Sequence, residues 1–228
     1  MKINLELKWG QKLFFTSDTH YNHKNICRGV TAWRTADDKI PISQTRDFPD
    51  LNKMNDTIVN NINEIVGQDD ILFHLGDWSF GGFDSIKEFR DRIVCQNIYL
   101  AYGNHDHHIV NNRNNIQDIF TKTFQYAWLH VKYPSHGTIV GGEYDIIIDH
   151  YPLCSWHDMN KGVFHLFGHV HLPPHQVIMG GRSMDVGMDG NNLTPHKATD
   201  ILRKLSGRPV QANKLPSDHH EERLKNEQ

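Results

Sequence analysis

The chain has 228 residues, 38% of them hydrophobic and 22% charged, and 24 Lys plus Arg against 27 Asp plus Glu leave a net charge of −3. At roughly 150 residues per domain this is one large domain, able to bury a core without disulfide staples and too apolar for a disordered chain. The acidic balance disfavours tight sequence-independent duplex binding, no apolar run nears the roughly 20 residues of a membrane span, and 3 scattered Cys with no signal-peptide core point to the cytoplasm.

Residues 1–7 and 13–16 alternate as strands around a Trp9-Gly10 turn, and the second strand runs into Asp18-Thr19-His20. Residues 28–50 carry no sustained period and read as a long surface loop, a candidate substrate lid. From Leu51 the apolar residues Leu51, Met54, Ile58, Ile62 and Ile65 recur at helical spacing behind a capping Asp50, and Gly67 ends the helix. A strand over 70–75 leads into Gly76-Asp77. Asp84 is then expected to cap a second helix with Ile86, Phe89 and Ile93 inward, and a strand over 97–102 ends at Gly103-Asn104-His105-Asp106.

Beyond residue 120 the strand-like runs follow one another: 123–132, 137–140, 143–149, 163–167, 176–179 and 183–186. Gly141-Gly142 and Gly180-Gly181 read as hairpin turns. Residues 199–205 form a short helix before Ser206-Gly207, and 208–228 read as a polar tail behind a single domain over 1–207. Strands alternating with helices, then consecutive strands, predict an α/β or α+β sandwich of two mixed sheets with helices outside.

Five clusters stand out among the 17 His and the acids of this chain: Asp18-x-His20, Gly76-Asp77, Gly103-Asn104-His105-Asp106, Asp149-His150 and Gly168-His169-x-His171. Each follows a predicted strand, and each offers carboxylate, amide or imidazole donors. One such cluster is ordinary turn chemistry. Together they place seven ligand-capable side chains at one end of a sheet.

The order of these clusters resembles the calcineurin-like metallophosphoesterase superfamily, and the string Ser17-Asp18-Thr19-His20-Tyr21-Asn22-His23-Lys24-Asn25-Ile26 is similar to its small bacterial and bacteriophage members. The resemblance covers residues 18–171. It implies a four-layer α-β-β-α sandwich holding two divalent metal ions. Asp18, His20 and His171 would hold the first ion, Asn104, His150 and His169 the second, and Asp77 would bridge both. A carboxylate can link two ions roughly 3.5–4 Å apart, and water shared between them becomes a hydroxide nucleophile near neutral pH. Oxygen and imidazole donors without thiolate suit Mn, Fe, Zn, Ni or Co.

In this resemblance His105 is the general acid for the leaving oxygen, and Asp106 would hold its other ring nitrogen; Asp106 also reads as a helix cap. His23 and Asn25 are candidates for outer-shell or substrate contact, and Trp78 reads equally as a wall of the site or as core. His74 and His165, inside apolar strands, read as core histidines. After Gly76-Asp77 the chain has Trp78-Ser79-Phe80, without the phosphate-gripping Arg of the Ser/Thr protein phosphatases. The expected function is therefore hydrolysis of a phosphodiester or phosphomonoester of a small, nucleotide-like substrate. The alternatives are a single-strand nuclease, with Trp33 and Phe48 as stacking residues, and a catalytically silent binding module on the same fold.

Overall fold

The computed structural model describes residues 1–33, 45–135, 141–174, 176–178 and 180–210. Two five-stranded mixed sheets pack face to face with helices flanking them, the architecture expected from the sequence pattern. One sheet has the order β10-β2-β3-β4-β5, with β2 (Leu13–Thr16), β3 (Ile71–His74), β4 (Asn97–Ala101) and β5 (Lys122–Phe124) parallel and β10 (His196–Lys197) antiparallel at the edge. The other has the order β1-β6-β7-β8-β9, built from β1 (Lys2–Glu6), β6 (Ala127–Lys132), β7 (Glu143–Ile148), β8 (Phe164–Phe167) and β9 (Ser183–Asp185). In it β7, β8 and β9 run parallel, and only β6 and β7 pair antiparallel.

Period-2 alternation explains the central layer. Leu13, Phe15, Ile71 and Phe73 of one sheet meet Leu129, Val131, Ile146, Ile148 and Leu166 of the other in one core. The outer face of the first sheet carries Phe14, Leu72, Ile98 and Leu100, and it is covered by α1 (Leu51–Ile65) and α2 (Gly82–Arg92). In α1 the stripe read from the sequence is the buried face, and Asp50 Oδ1 accepts from the Lys53 N–H at 2.8 Å as its N-cap. The outer face of the second sheet is closed by the 151–163 crossover, where Trp156 and Met159 pack on Ile147. α3 (His107–Val110) is one turn, and α4 (Ala198–Ser206) buries Ile201, Leu202 and Leu205 against the inter-sheet core.

Several boundaries differ from expectation. Residues 123–132 form two strands in different sheets, because a bend at residues 125–126 carries the chain across the sandwich. Alternation shows that a segment is a strand but not which sheet receives it. The N-cap of α2 is Gly81 at φ +102°, a left-handed conformation that suits glycine; Asp84 sits in the first turn, where the helix dipole favours it. The described residues 176–178 form no strand, and Val177 and Ile178 are exposed. Gly180-Gly181 therefore closes no hairpin, since β9 pairs parallel to β8. The expected strand 137–140, residues 34–44 of the expected 28–50 loop and most of the tail lie outside the described residues. Among those described, no helix is long and apolar enough to cross a membrane.

Candidate metal centre

Parallel neighbours end at the same edge of their sheet, and this places the chemistry. Registers Thr16 opposite His74 and His74 opposite Leu100 bring the loops after β2, β3 and β4 side by side with Asp18, Asp77 and Asn104. Parallel β7 and β8 present His150, His169 and His171 from the second sheet. The loops are laced together by backbone bonds from Asp18 N to Gly76 O (2.9 Å), His20 N to Asp77 O (3.1 Å) and Gly168 N to His150 O (2.9 Å). A Cβ at Gly103 would overlap the Asp77 carboxylate and backbone, and one at Gly168 would overlap Ser17 and Asp18. The glycines of these clusters are therefore set by close approach.

All seven expected ligands converge. His20 Nε2 faces His171 Nε2 at 3.0 Å, and Asp18 Oδ1 lies 3.9 Å from the first and 3.7 Å from the second. Asn104 Oδ1 is 3.0 Å from His150 Nε2 and 2.9 Å from His169 Nδ1. Asp77 Oδ2 stands between the two groups, 3.5 Å from His20 Nε2 and 3.7 Å from His150 Nε2. Ligand atoms of Asp18, His20 and His171 lie within 4.8 Å of one another, and so do those of Asp18, Asp77 and His150.

The imidazoles are oriented from behind. His150 Nδ1 donates to Leu75 O at 2.7 Å and His171 Nδ1 donates to Asp189 Oδ2 at 2.7 Å, so each Nε2 lone pair faces the centre. Burial and the neighbouring His171 hold the His20 pKa well below its ordinary value, keeping this imidazole neutral. Burial would also depress His171, but the Asp189 hydrogen bond and the charge of Asp18 outweigh it and raise its pKa. Burial pushes Asp18 up to about 7.

Two observations test whether a cation suits these residues. Asp18 Oδ1 is buried without a hydrogen-bond partner, and an ionised carboxylate in that position is costly unless a positive charge meets it. Asp18, His20, Asp77, His169 and His171 all adopt positive φ between 48° and 72°, although none is glycine. Left-handed backbone at non-glycine residues costs of order 1–3 kcal/mol each and clusters where the fold imposes a working geometry. The donor set of carboxylate, amide oxygen and imidazole is of the kind that can hold a divalent transition-metal ion.

His105 lies at the exposed rim, its ring centroid 5.6 Å from that of His20 and 4.7 Å from that of Phe80. Asp106 does not reach that ring. Its carboxylate accepts from the N–H groups of Gly103 (2.8 Å), Asp77 (2.8 Å) and Trp78 (3.0 Å), so it joins the β3 and β4 loops. It stands at the N-cap of α3, but its side chain makes no cap bond there. Trp78 is core, with no exposed surface, its Nε1 donating to Ile86 O and its ring against Phe89 and Phe120. Asn25 Oδ1 accepts from Ala32 N and shapes its own loop. His23 does border the centre, stacked on Phe80 at 3.6 Å with its centroid 5.2 Å from that of His20. His74 bridges Thr19 Oγ1 and Gly76 N, and His165 bridges Ile147 O and Leu153 N, so both are satisfied core histidines.

Two residues behind the centre escaped the sequence reading. Asp189 holds His171, and buried Arg46 pairs with Asp189 at 2.8 Å while donating to Asp18 O at 2.6 Å and Thr19 O at 2.7 Å. Asp189 follows β9, so the rule that found the five clusters, polar residues just after a strand, reaches it too. Arg46 lay in an aperiodic loop with nothing local to mark it.

No protein-family model matches the chain. An uncharacterized protein of Methanocaldococcus jannaschii is 31% identical over 98 residues, which are 42% of this chain and 47% of that protein. The aligned region thus spans about half the length of that relative. The gene 66 protein of Mycobacterium phage L5 is 24% identical over 70% of this chain and 77% of its own length. A crystal structure of a protein of unknown function from Aquifex aeolicus superposes with a TM-score of 0.56 at 18% identity, covering 86% of this chain and all of that one. This is a likeness of fold.

Proposed function

We propose that this chain is a two-metal phosphoesterase of the calcineurin-like type, hydrolysing a phosphodiester or phosphomonoester of a small, nucleotide-like substrate. The observation that carries the reading is the gathering of six donors from four other strand ends around Asp77, whose Oδ2 lies 3.5 and 3.7 Å from a histidine of each group. Two divalent ions held there supply an activated water and offset the charge of the phosphoryl group.

The chain's own residues set the rest. Asp77 Oδ1 accepts from His105 N at 2.9 Å, so the same carboxylate that faces both groups of donors also fixes the loop carrying the acid. His105, exposed and outside the ligand groups, would hold a proton for the leaving oxygen. His23 and Phe80 form a stacked aromatic wall beside it, suited to a flat leaving group such as a nucleoside. The intact donor set favours an enzyme over a silent binding module.

The test is hydrolysis of paired chromogenic phosphodiester and phosphomonoester substrates by chelator-treated protein, with Mn, Ni, Zn, Fe and Mg returned singly. Activity restored by a transition metal is the expected result, and the faster ester names the substrate class. Two bound ions per chain with no turnover of either ester would overturn the reading. Asp77→Ala should lower metal content and turnover together, and unchanged metal content would remove it from the bridging position.

A further inference from the structure

β2 ends at the metal centre and begins, at Leu13, beside a separate cavity of about 650 Å³. The cavity is within the usual size of a small-ligand site, and its walls combine two chemistries. Trp9, Tyr133 and Tyr144 supply aromatic surface, and Trp9 is 55% exposed. Tyr133 and Tyr144 meet edge to face at 5.9 Å, and the buried Tyr133 hydroxyl has no hydrogen-bond partner. Lys8, Lys12, Lys197 and Arg203 supply cations, and no Asp or Glu lies among the described lining residues. Arg203 pairs with Asp200 at 2.7 Å on its own helix, which leaves three lysines on a wall without carboxylates; Glu64 and Asp200 share an adjoining cleft with Lys12 and Lys197, and Asp69 and Asp70 share another with Lys8.

We infer that this cavity is a second binding site, for a nucleotide. An aromatic wall takes a flat base by stacking, because every base presents a π-face. The lysines take the phosphate charge as mobile point cations. A purely apolar ligand would not engage the lysines, and a bare phosphate would not engage the aromatic rings. The site is independent of the metal centre and does not rest on the activity proposed for it.

The experiment is calorimetric titration of the full chain with ATP in excess EDTA, which removes metal-dependent binding at the other end of β2. Saturable binding is expected, weakened tenfold or more by Trp9→Ala and by the double change Lys12→Ala with Lys197→Ala. These residues are exposed, and unchanged thermal midpoints of the variants will show that the fold is kept. No saturable binding of ATP, or binding equal in wild type and both variants, would overturn the site. Inorganic triphosphate binding as tightly as ATP would overturn the assignment to a nucleotide.

Discussion

Asp189 joins a buried cation to a candidate ligand. Its Oδ1 meets Arg46 Nε at 2.8 Å and its Oδ2 meets His171 Nδ1 at 2.7 Å. Burial alone would raise its pKa, but Arg46 outweighs burial and holds the carboxyl far below its ordinary value, so it stays ionised at any working pH. An ionised partner at Nδ1 fixes the His171 tautomer. Asp189→Asn should therefore weaken Mn binding about 10- to 100-fold, as loss of an outer-shell partner does, in an equilibrium-dialysis measurement. Affinity unchanged by that substitution would detach Asp189 from the centre. His105 belongs to the same scale with the opposite signature. His105→Ala should leave metal content intact and slow turnover about 10²- to 10⁴-fold, most for esters with poor leaving groups. An equal loss across leaving groups would argue against the acid role.

Elements explain why these residues meet at all. Three neighbouring parallel strands of one sheet and two of the other end at a common edge, and their loops are packed closely enough that two glycines are obligatory. A Cβ at Gly103 would occupy the space of the Asp77 carboxylate, whereas one at Gly207, just after α4, would meet only Lys204 O at 3.7 Å. Gly103→Ala should cost about 1–3 kcal/mol or more in urea denaturation, the usual range for overpacking, and reduce metal content as Asp77 shifts. Gly207→Ala, at φ −77°, should change stability by less than about 1 kcal/mol, and the contrast between the two is the readout. Helix α1 was legible to its cap because a 3.6 period and Asp50 state the same thing. The 123–132 run was misread because a strand's period is the same in either sheet.

For the whole molecule, buried histidines make stability depend on pH. Burial lowers His74 to about 3 and His165 to about 4, against 6.5 for the exposed group. Their folded pKa lies below the unfolded value, so protonation favours the unfolded chain and stability is lost as pH falls from 6.5 towards 4. Each contributes about one proton of uptake on unfolding, or about 1.4 kcal/mol per pH unit. Asp18, raised to about 7 from 3.8, acts with the opposite sign over pH 4–7 in metal-free protein. His165→Gln keeps one donor and one acceptor and should flatten the slope of stability against pH between 6 and 4.5 by about one proton. An unaltered slope would mean that His165 is protonated in the folded chain.

Residue order alone determined the alternating strands, the amphipathic helices and the set of ligand-capable side chains at strand ends, because each is a local pattern of spacing or turn chemistry. Asp18, His20, Asp77, Asn104, His150, His169 and His171 were all legible in this way. Tertiary structure decided what local pattern cannot carry. It sent β5 and β6 to different sheets and buried Trp78 in the core. It also turned the Asp106 carboxylate from the neighbouring His105 ring to three backbone N–H groups, and it brought Arg46 and Asp189 together behind His171 across 143 residues of chain. Side chains that far apart in sequence leave no periodic trace of one another, and only the packing of two sheets at a common edge makes them neighbours.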